Sequence, residues 1–79
     1  MPRYFFHVID DDLTEDQEGT ELPNVEAAKL FAYRSIRSLM CEAIMAYGEI
    51  NLRHRVHVED EEGTILLSIA FREAVAVTL

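Results

Sequence analysis

Carboxylates crowd one short segment of this chain, at the spacing of a calcium loop. Six residues stand at the ligand positions of a twelve-residue calcium-binding frame: Asp10, Asp12, Thr14, Asp16, Glu18 and Glu21. Position six of that frame holds Glu15, where the sharp turn of such loops needs glycine, and a strand pattern precedes the frame instead of a helix pattern. We therefore favour a solvated acidic loop, and keep as weak candidate metal ligands Asp10, Asp12, Asp16 and Glu21.

Histidine side chains are the second set of candidate metal ligands, and the chain has three, His7, His54 and His57. His54 and His57 are three apart in a predicted strand, so their side chains point to opposite faces of the sheet. The strand order predicted below separates His7 from His57 by a central strand. The pattern therefore favours partly exposed sheet histidines over a zinc site.

Groups for covalent or acid–base catalysis do not converge in this sequence. Cys41 is the only cysteine, and no His/Asp pair is tied to it, so we interpret it as a small apolar helix residue. Glu26 and Glu42 are too far apart for two-carboxylate catalysis. The chain has no nucleophile elbow, phosphate loop or CxxC motif. We predict a protein without catalytic residues and without a cofactor.

The charge of the chain argues against a nucleic-acid-binding function. The formal net charge is −8, whereas attraction to phosphates supplies most of the affinity of nucleic-acid binders. Of the 15 acidic residues, seven lie between residues 10 and 21 and four between residues 59 and 62. The rest of the chain is close to neutral.

A run without glycine or proline between Pro23 and Gly48 predicts one long helix. Asn24 is a good N-cap, Glu26 places a carboxylate where the helix dipole favours it, and Gly48 suits a left-handed residue at the C-terminal end. One apolar stripe recurs at helical spacing: Val25, Ala28, Ala32, Ile36, Leu39, Met40, Ala43 and Tyr47. That stripe needs a sheet to cover it.

Three segments predict the strands of that sheet. Residues 3–9 are aromatic and β-branched, residues 53–60 alternate polar residues with valine, and residues 64–71 form the most continuously apolar run. The acidic turn that ends in Gly63 indicates a hairpin between the last two. A short extended piece at residues 20–22 is also compatible with the pattern.

The register of the hairpin depends on its loop. A two-residue loop sets Val58 opposite Leu67, whereas a three-residue loop with Gly63 as a bulge sets Val58 opposite Leu66. We prefer the first, because it buries more apolar surface. It predicts an inner face made of Val56, Val58, Ile65, Leu67, Ile69 and Phe71.

These elements predict an α+β fold, a single β-α-β-β domain over residues 1–79 with one long helix on one face of a three-stranded antiparallel sheet. Segment 64–71 is apolar on both faces and should be central, which gives the strand order 1-3-2. If the helix spans the sheet once, both acidic segments form an acidic pole, opposite a basic pole of Arg3, Arg53 and Arg72. For residues 72–79 a fourth strand, an arm and a short helix at 72–75 stay open.

Apolar surface remains after this core is built. Phe5, Ile9 and Leu66 fall on the sheet face turned away from the helix, and Phe31 and Met45 lie on the helix away from its core stripe. A chain of 79 residues buries only about 60–65% of its unfolded surface, and a contiguous exposed apolar patch usually marks an interface. We therefore predict a homodimer that uses one of these surfaces.

The chain carries no pattern for export or membrane insertion. The opening MPRYFFHV lacks an apolar signal region, and no stretch approaches the roughly 20 apolar residues that span a bilayer. A single cysteine excludes an internal disulfide and fits a reducing compartment. We predict a cytoplasmic protein without a membrane partner.

Three segments together resemble a family of short bacterial proteins known only as a domain of unknown function. They are the opening RYFFHV with the acidic DxEGxEL piece (residues 16–22), the helix start PNVEAA and the hairpin VEDEEGTILLSIAFREAV. The resemblance covers nearly the whole chain and implies a small bacterial domain, with no activity, ligand or catalytic residue attached. Phe31 and Tyr33 depart from it, because we expect more polar residues there.

Two functions from different classes remain. We favour a non-enzymatic protein–protein interaction module, a cytoplasmic homodimer that presents an acidic pole to a partner. The alternative is a divalent-cation or small-ligand binding protein that uses the acidic loop 10–21, and an enzyme ranks third.

Overall fold

One long helix lies against one face of an antiparallel sheet in the computed structural model, which describes all 79 residues. The strands are β1 (Arg3–Ile9), β2 (Leu13–Thr14), β3 (Thr20–Glu21), β4 (Arg55–Glu59) and β5 (Ile65–Ala70). Helix α1 spans Val25–Tyr47, and a 3-10 helix spans Phe71–Ala74. The α+β class is confirmed, with five strands in place of three, because the segment between β1 and α1 adds two short ones.

The order of the strands differs from the predicted 1-3-2. Strand β4 lies between β1 and β5, so segment 53–60 is central and segment 64–71 forms an edge. The cause is the segment between β1 and α1, which runs back along β1 and sets Thr14 opposite Val8 and Glu21 opposite Arg3. The helix therefore begins at the end of the sheet where β1 begins. Strand β4 then enters from the other end and pairs directly with β1 in antiparallel orientation.

This topology spreads the first acidic segment along β1, from Asp10 at one end to Glu21 at the other, so the predicted acidic pole is wrong. Asp10 follows the end of β1, where Ile9 pairs with Arg55, whereas the acidic turn after Glu59 lies at the opposite end of the sheet. Arg3, predicted for a basic pole, lies at that same opposite end, and its backbone N–H donates to Glu61. Both ends of the sheet carry both signs of charge.

Both predicted ends of α1 are confirmed. The Asn24 side chain accepts the Ala27 N–H at 2.9 Å, and Gly48, at φ 69°, donates its N–H to the Ile44 carbonyl at 2.9 Å. The 23 residues of α1 rise about 34 Å, whereas the seven residues of β1 extend only about 24 Å. The helix therefore overhangs the sheet. The part of its stripe that is buried consists of Ala28, Ala32, Ile36 and Met40, while Val25 and Tyr47 are exposed.

The register of the β4–β5 hairpin is confirmed, with Val58 opposite Leu67, but the turn is the three-residue alternative. Gly63, at φ 81°, donates its N–H to the Asp60 carbonyl, and the Asp60 N–H donates to the Thr64 carbonyl at 3.0 Å. The two findings are compatible because the ladder shifts by one residue beyond Val58.

That shift leaves Leu66 as an extra residue in β5. Ile65 pairs with Glu59, on the sheet face away from α1, and Leu66 precedes the inward Leu67. The bulge therefore turns both Ile65 and Leu66 outward. The prediction that Ile65 lies on the inner face is wrong, and its side chain is 52% exposed.

The core is small and entirely apolar. Only 11 of 79 residues are buried, and none of them is polar or charged. Phe71 and Ala74 of the 3-10 helix join this core, and the Arg37 side chain donates to the Ala74 carbonyl at 2.7 Å. Of the alternatives left open for the last residues, the structure has the short helix, and residues 75–79 follow it without regular structure.

Candidate functional site

Asp16 ties the acidic segment to the sheet. One carboxylate oxygen accepts the Phe6 N–H at 3.1 Å, and the other accepts the N–H groups of Glu18 and Gly19 at 3.2 and 3.0 Å. Partial burial acts to raise the pKa of the Asp16 carboxyl, but these three donors, helped by the charge of His7, hold its pKa below the usual value. The carboxylate is therefore a structural acceptor.

Gly19 explains why the same segment needs a glycine. It lies at φ 71°, and a Cβ atom there would stand 2.8 Å from Arg3 Cγ and 2.9 Å from Phe5 Cε2. Beside it, the Arg3 guanidinium donates to the Glu18 carbonyl and to Glu21 at 2.8 and 2.9 Å. Asp16, Glu18, Gly19 and Glu21 of the DxEGxEL piece, part of the family resemblance, thus fasten the acidic segment to β1.

The four candidate metal ligands do not converge on one point. Asp10 accepts the Asp12 N–H at 2.8 Å, Asp16 holds three backbone N–H groups, and Glu21 pairs with Arg3 at the far end of β1. No group of three or more His, Cys, Asp or Glu side chains in the structure is arranged to hold a metal ion. The acidic loop thus consists of separate turn-stabilising contacts.

His7 and His57 are neighbours, which corrects the predicted separation of the two residues by a central strand. They lie directly opposite each other on β1 and β4, because the strand order differs from the prediction. The Asp16 N–H donates to His7 Nδ1 at 3.1 Å, and His7 Nε2 contacts Glu59 Oε2. In the neutral ring the proton is therefore on Nε2, which donates to the Glu59 carboxylate. His7 links the acidic loop to the central strand.

The sheet face turned away from α1, called the outer face below, is not covered by a helix or a second sheet. Because Val56 and Val58 are buried under the helix, the alternate residues of β4 and their cross-strand partners point outward. The apolar members of this face are Phe5, Ile9, Leu13, Ile65 and Leu66, and its polar members are His7, Arg55, His57, Glu59 and Ser68. Leu13, which the apolar pattern of the sequence did not indicate, is 55% exposed.

The free edge of β5 is protected against pairing with another strand. The Ala70 N–H donates to the Glu73 carboxylate at 2.7 Å, and the Ser68 carbonyl accepts from Arg55 at 3.1 Å. The bulge at Leu66 interrupts the strand further along. Occupied backbone groups and bulges are the usual ways in which proteins block edge-to-edge association. The broad outer face is therefore a better docking surface than this edge.

The two helix residues predicted as interface candidates differ in exposure. Phe31 is half-buried, and its ring packs on that of Phe6 with the centroids 4.7 Å apart. Met45 is 87% exposed on the overhanging end of α1. Phe31 thus closes the edge of the core, and Met45 alone of the two stands free.

The overhang of α1 creates a cleft of about 660 Å³, called the terminal cleft below. It opens between the last turns of the helix, the segment 49–54 and the end of β1. Its apolar lining includes Val8, Leu39, Met40, Ala43, Leu52 and Phe71, and charged side chains at its rim are Asp10, Asp11, Glu49 and Arg53. His54 also lines it, and His54 Nε2 is a buried atom without a hydrogen-bond partner.

A family model described as "Domain of unknown function (DUF6894)" matches residues 3–72 of the chain. The chain belongs to this family. The match begins with β1 and ends inside the 3-10 helix, so it includes the Asp16 loop, α1 and the hairpin. No curated protein and no solved structure matches the chain.

The DUF6894 domain has a helix of 23 residues, but it is not one that could cross a bilayer. No helix in the structure is both long enough and apolar enough to do so. The two surfaces that remain as candidate sites are the outer face and the terminal cleft, on different sides of the molecule.

Proposed function

We propose that this DUF6894 domain is a non-enzymatic interaction module that binds a second copy of itself through the outer face. The observation that carries the proposal is that no helix or second sheet covers this face, on which Leu13, Ile65 and Leu66 are exposed and Phe5 and Ile9 are half-buried. Apolar surface left in water forgoes about 25 cal/mol of stabilisation per Å², and this chain has a core of only 11 buried residues. Pairing two such faces removes that loss.

The pattern of the outer face is self-complementary. Arg55 and Glu59 lie two residues on either side of His57 along β4. A two-fold axis that runs across the strands at His57 lays each Arg55 over Glu59 of the second copy. The same axis lays Ile9, the partner of Arg55, over Phe5, the partner of Glu59. Along β4 and β1, opposite charges and apolar groups thus meet their counterparts, which supports an isologous dimer.

The chain's single thiol indicates the cellular compartment of such a dimer. Cys41 is exposed and unpaired. An exposed free thiol suits a reducing compartment. We therefore place the homodimer in the cytoplasm.

The test is the oligomeric state of two matched variants. Ile65→Lys puts an ammonium on the outer face, and Leu30→Lys makes the same change on the exposed side of α1, where Leu30 is 61% exposed. Size-exclusion chromatography with light scattering across the micromolar range should give a dimer for the native chain and for Leu30→Lys. Ile65→Lys should run as a monomer, because its charge would be desolvated at the interface.

Two outcomes would refute the proposal. If the native chain is monomeric at high micromolar concentration, the proposal is refuted. A dimer that survives Ile65→Lys and is lost in Leu30→Lys transfers the interface to the helix surface that also carries Met45. Circular dichroism of each variant establishes that both are folded.

A further inference from the structure

We propose that the terminal cleft binds a small organic cation with an apolar body, such as an arylalkyl amine. The cleft is distinct from the outer face, so this inference does not depend on the dimer. Its volume of about 660 Å³ lies within the range of about 300–1,000 Å³ that is usual for small-molecule sites.

The apolar part of the ligand is specified by the floor of the cleft. Leu39, Met40 and Ala43 come from successive turns of the overhanging helix, and Leu52 and Phe71 close the other side. These residues continue the hydrophobic core, which Met40 and Phe71 belong to. An aromatic or branched aliphatic group of a ligand would extend that core and remove apolar surface from water.

The charge of the ligand is specified by the rim. Asp10, Asp11 and Glu49 are exposed carboxylates at the mouth, against one cation, Arg53. His54 also lines the cleft, and its buried Nε2 lacks a hydrogen-bond partner. The three carboxylates accept hydrogen bonds, and an ammonium group supplies three N–H donors. An anionic ligand would meet net repulsion.

Three probes with polar groups of different charge test this inference by NMR titration of the ¹⁵N-labelled chain. They are phenethylammonium, the neutral 2-phenylethanol and the anionic 3-phenylpropionate, which share a phenylethyl group. The ammonium should bind most tightly, with shifts confined to the amides of Ala43, Leu52, His54 and their neighbours. Asp11→Asn should weaken it by roughly fivefold, the worth of one close charge in water. Glu62→Gln, an equal charge change in the hairpin turn at the other end of the sheet, should leave the affinity unchanged.

Several results would overturn the inference. They are the absence of binding at millimolar phenethylammonium, equal binding of 3-phenylpropionate, and shifts that lie outside the cleft. Equal weakening by Glu62→Gln and Asp11→Asn would also overturn it, because it would reduce the effect to attraction by the net charge of −8. None of these outcomes bears on the dimer, which is measured without ligand.

Discussion

His7 and His57 face each other across the β1–β4 pair, and only His7 is held by the protein. Its two ring nitrogens contact the Asp16 N–H and Glu59, whereas the His57 side chain makes no hydrogen bond within the chain. His57 is also the midpoint between Arg55 and Glu59 on the central strand. The same pair of residues therefore has one member that fastens a loop and one that stands at the centre of the proposed interface.

Reversing the charge of Arg55 should weaken the dimer. Arg55→Glu removes two attractions across the two-fold axis and adds two repulsions. At about 1 kcal/mol for each exposed pair, the lost attractions alone should raise the dissociation constant roughly 30-fold, and the repulsions should raise it further. Sedimentation equilibrium measures it. Arg53→Glu is the matched control, because Arg53 is exposed but lies before β4 and off the outer face. An equal effect of both changes would indicate non-specific repulsion between acidic chains.

Removing the Asp16 carboxylate should destabilise the fold in a pH-dependent way. The folded pKa lies below the ordinary 3.8, so the ionised group stabilises the native state above that pH. The contribution declines as the pH falls below about 3.8 and through the folded pKa. Urea unfolding of Asp16→Ala should show a loss of about 1–3 kcal/mol near neutral pH and a smaller loss in acid.

A nearby carboxylate provides the control for Asp16. The Asp12 side chain accepts no hydrogen bond, so Asp12→Ala should change the unfolding free energy little at any pH. A constant Asp16→Ala difference between neutral and acidic pH would contradict the role assigned to the charge.

Gly19→Ala should cost more stability than Gly48→Ala. Both residues have φ near 70°, so both variants carry the strain of a left-handed alanine, about 1 kcal/mol. At Gly19 the new Cβ would also press on Arg3 and Phe5 and lie 3.0 Å from the Tyr4 carbonyl, whereas at Gly48 nothing lies within 4 Å. The difference between the melting temperatures of the two variants measures the cost of this crowding, because the backbone strain is common to both. Equal melting temperatures would mean that the loop shifts freely.

Truncations along β5 should follow the observed burial. Ile69 is 3% exposed, Leu67 is half-buried and Leu66 is 36% exposed. Ile69→Ala should therefore cost about 2–5 kcal/mol, Leu67→Ala less, and Leu66→Ala the least in the monomer. Chemical unfolding at low protein concentration gives this ranking. A larger loss for Leu66→Ala than for Ile69→Ala would contradict the bulge that turns Leu66 outward.

Local chemistry by itself determined the elements of this protein. Asn24 and Gly48 marked the ends of α1 because capping depends on residues within one turn, and the observed caps use those residues. The Val58 register followed from matching apolar faces over a few residues. The family resemblance likewise rested on contiguous motifs, and the match over residues 3–72 agrees with it.

Only the tertiary structure decided how the elements are arranged. Segment 10–21 carries few apolar residues, so its composition indicated a loop at one end, whereas Asp16 and Gly19 bind it back along β1 through backbone contacts. That return reverses the direction in which β4 enters, and it makes β4 central, brings His57 beside His7 and spreads the first acidic segment along β1. The terminal cleft has the same origin, because it depends on where a helix longer than its sheet comes to rest. The direction in which β4 enters the sheet and the overhang of α1 are set by contacts between residues far apart in the sequence. Periodicity and composition do not encode such contacts.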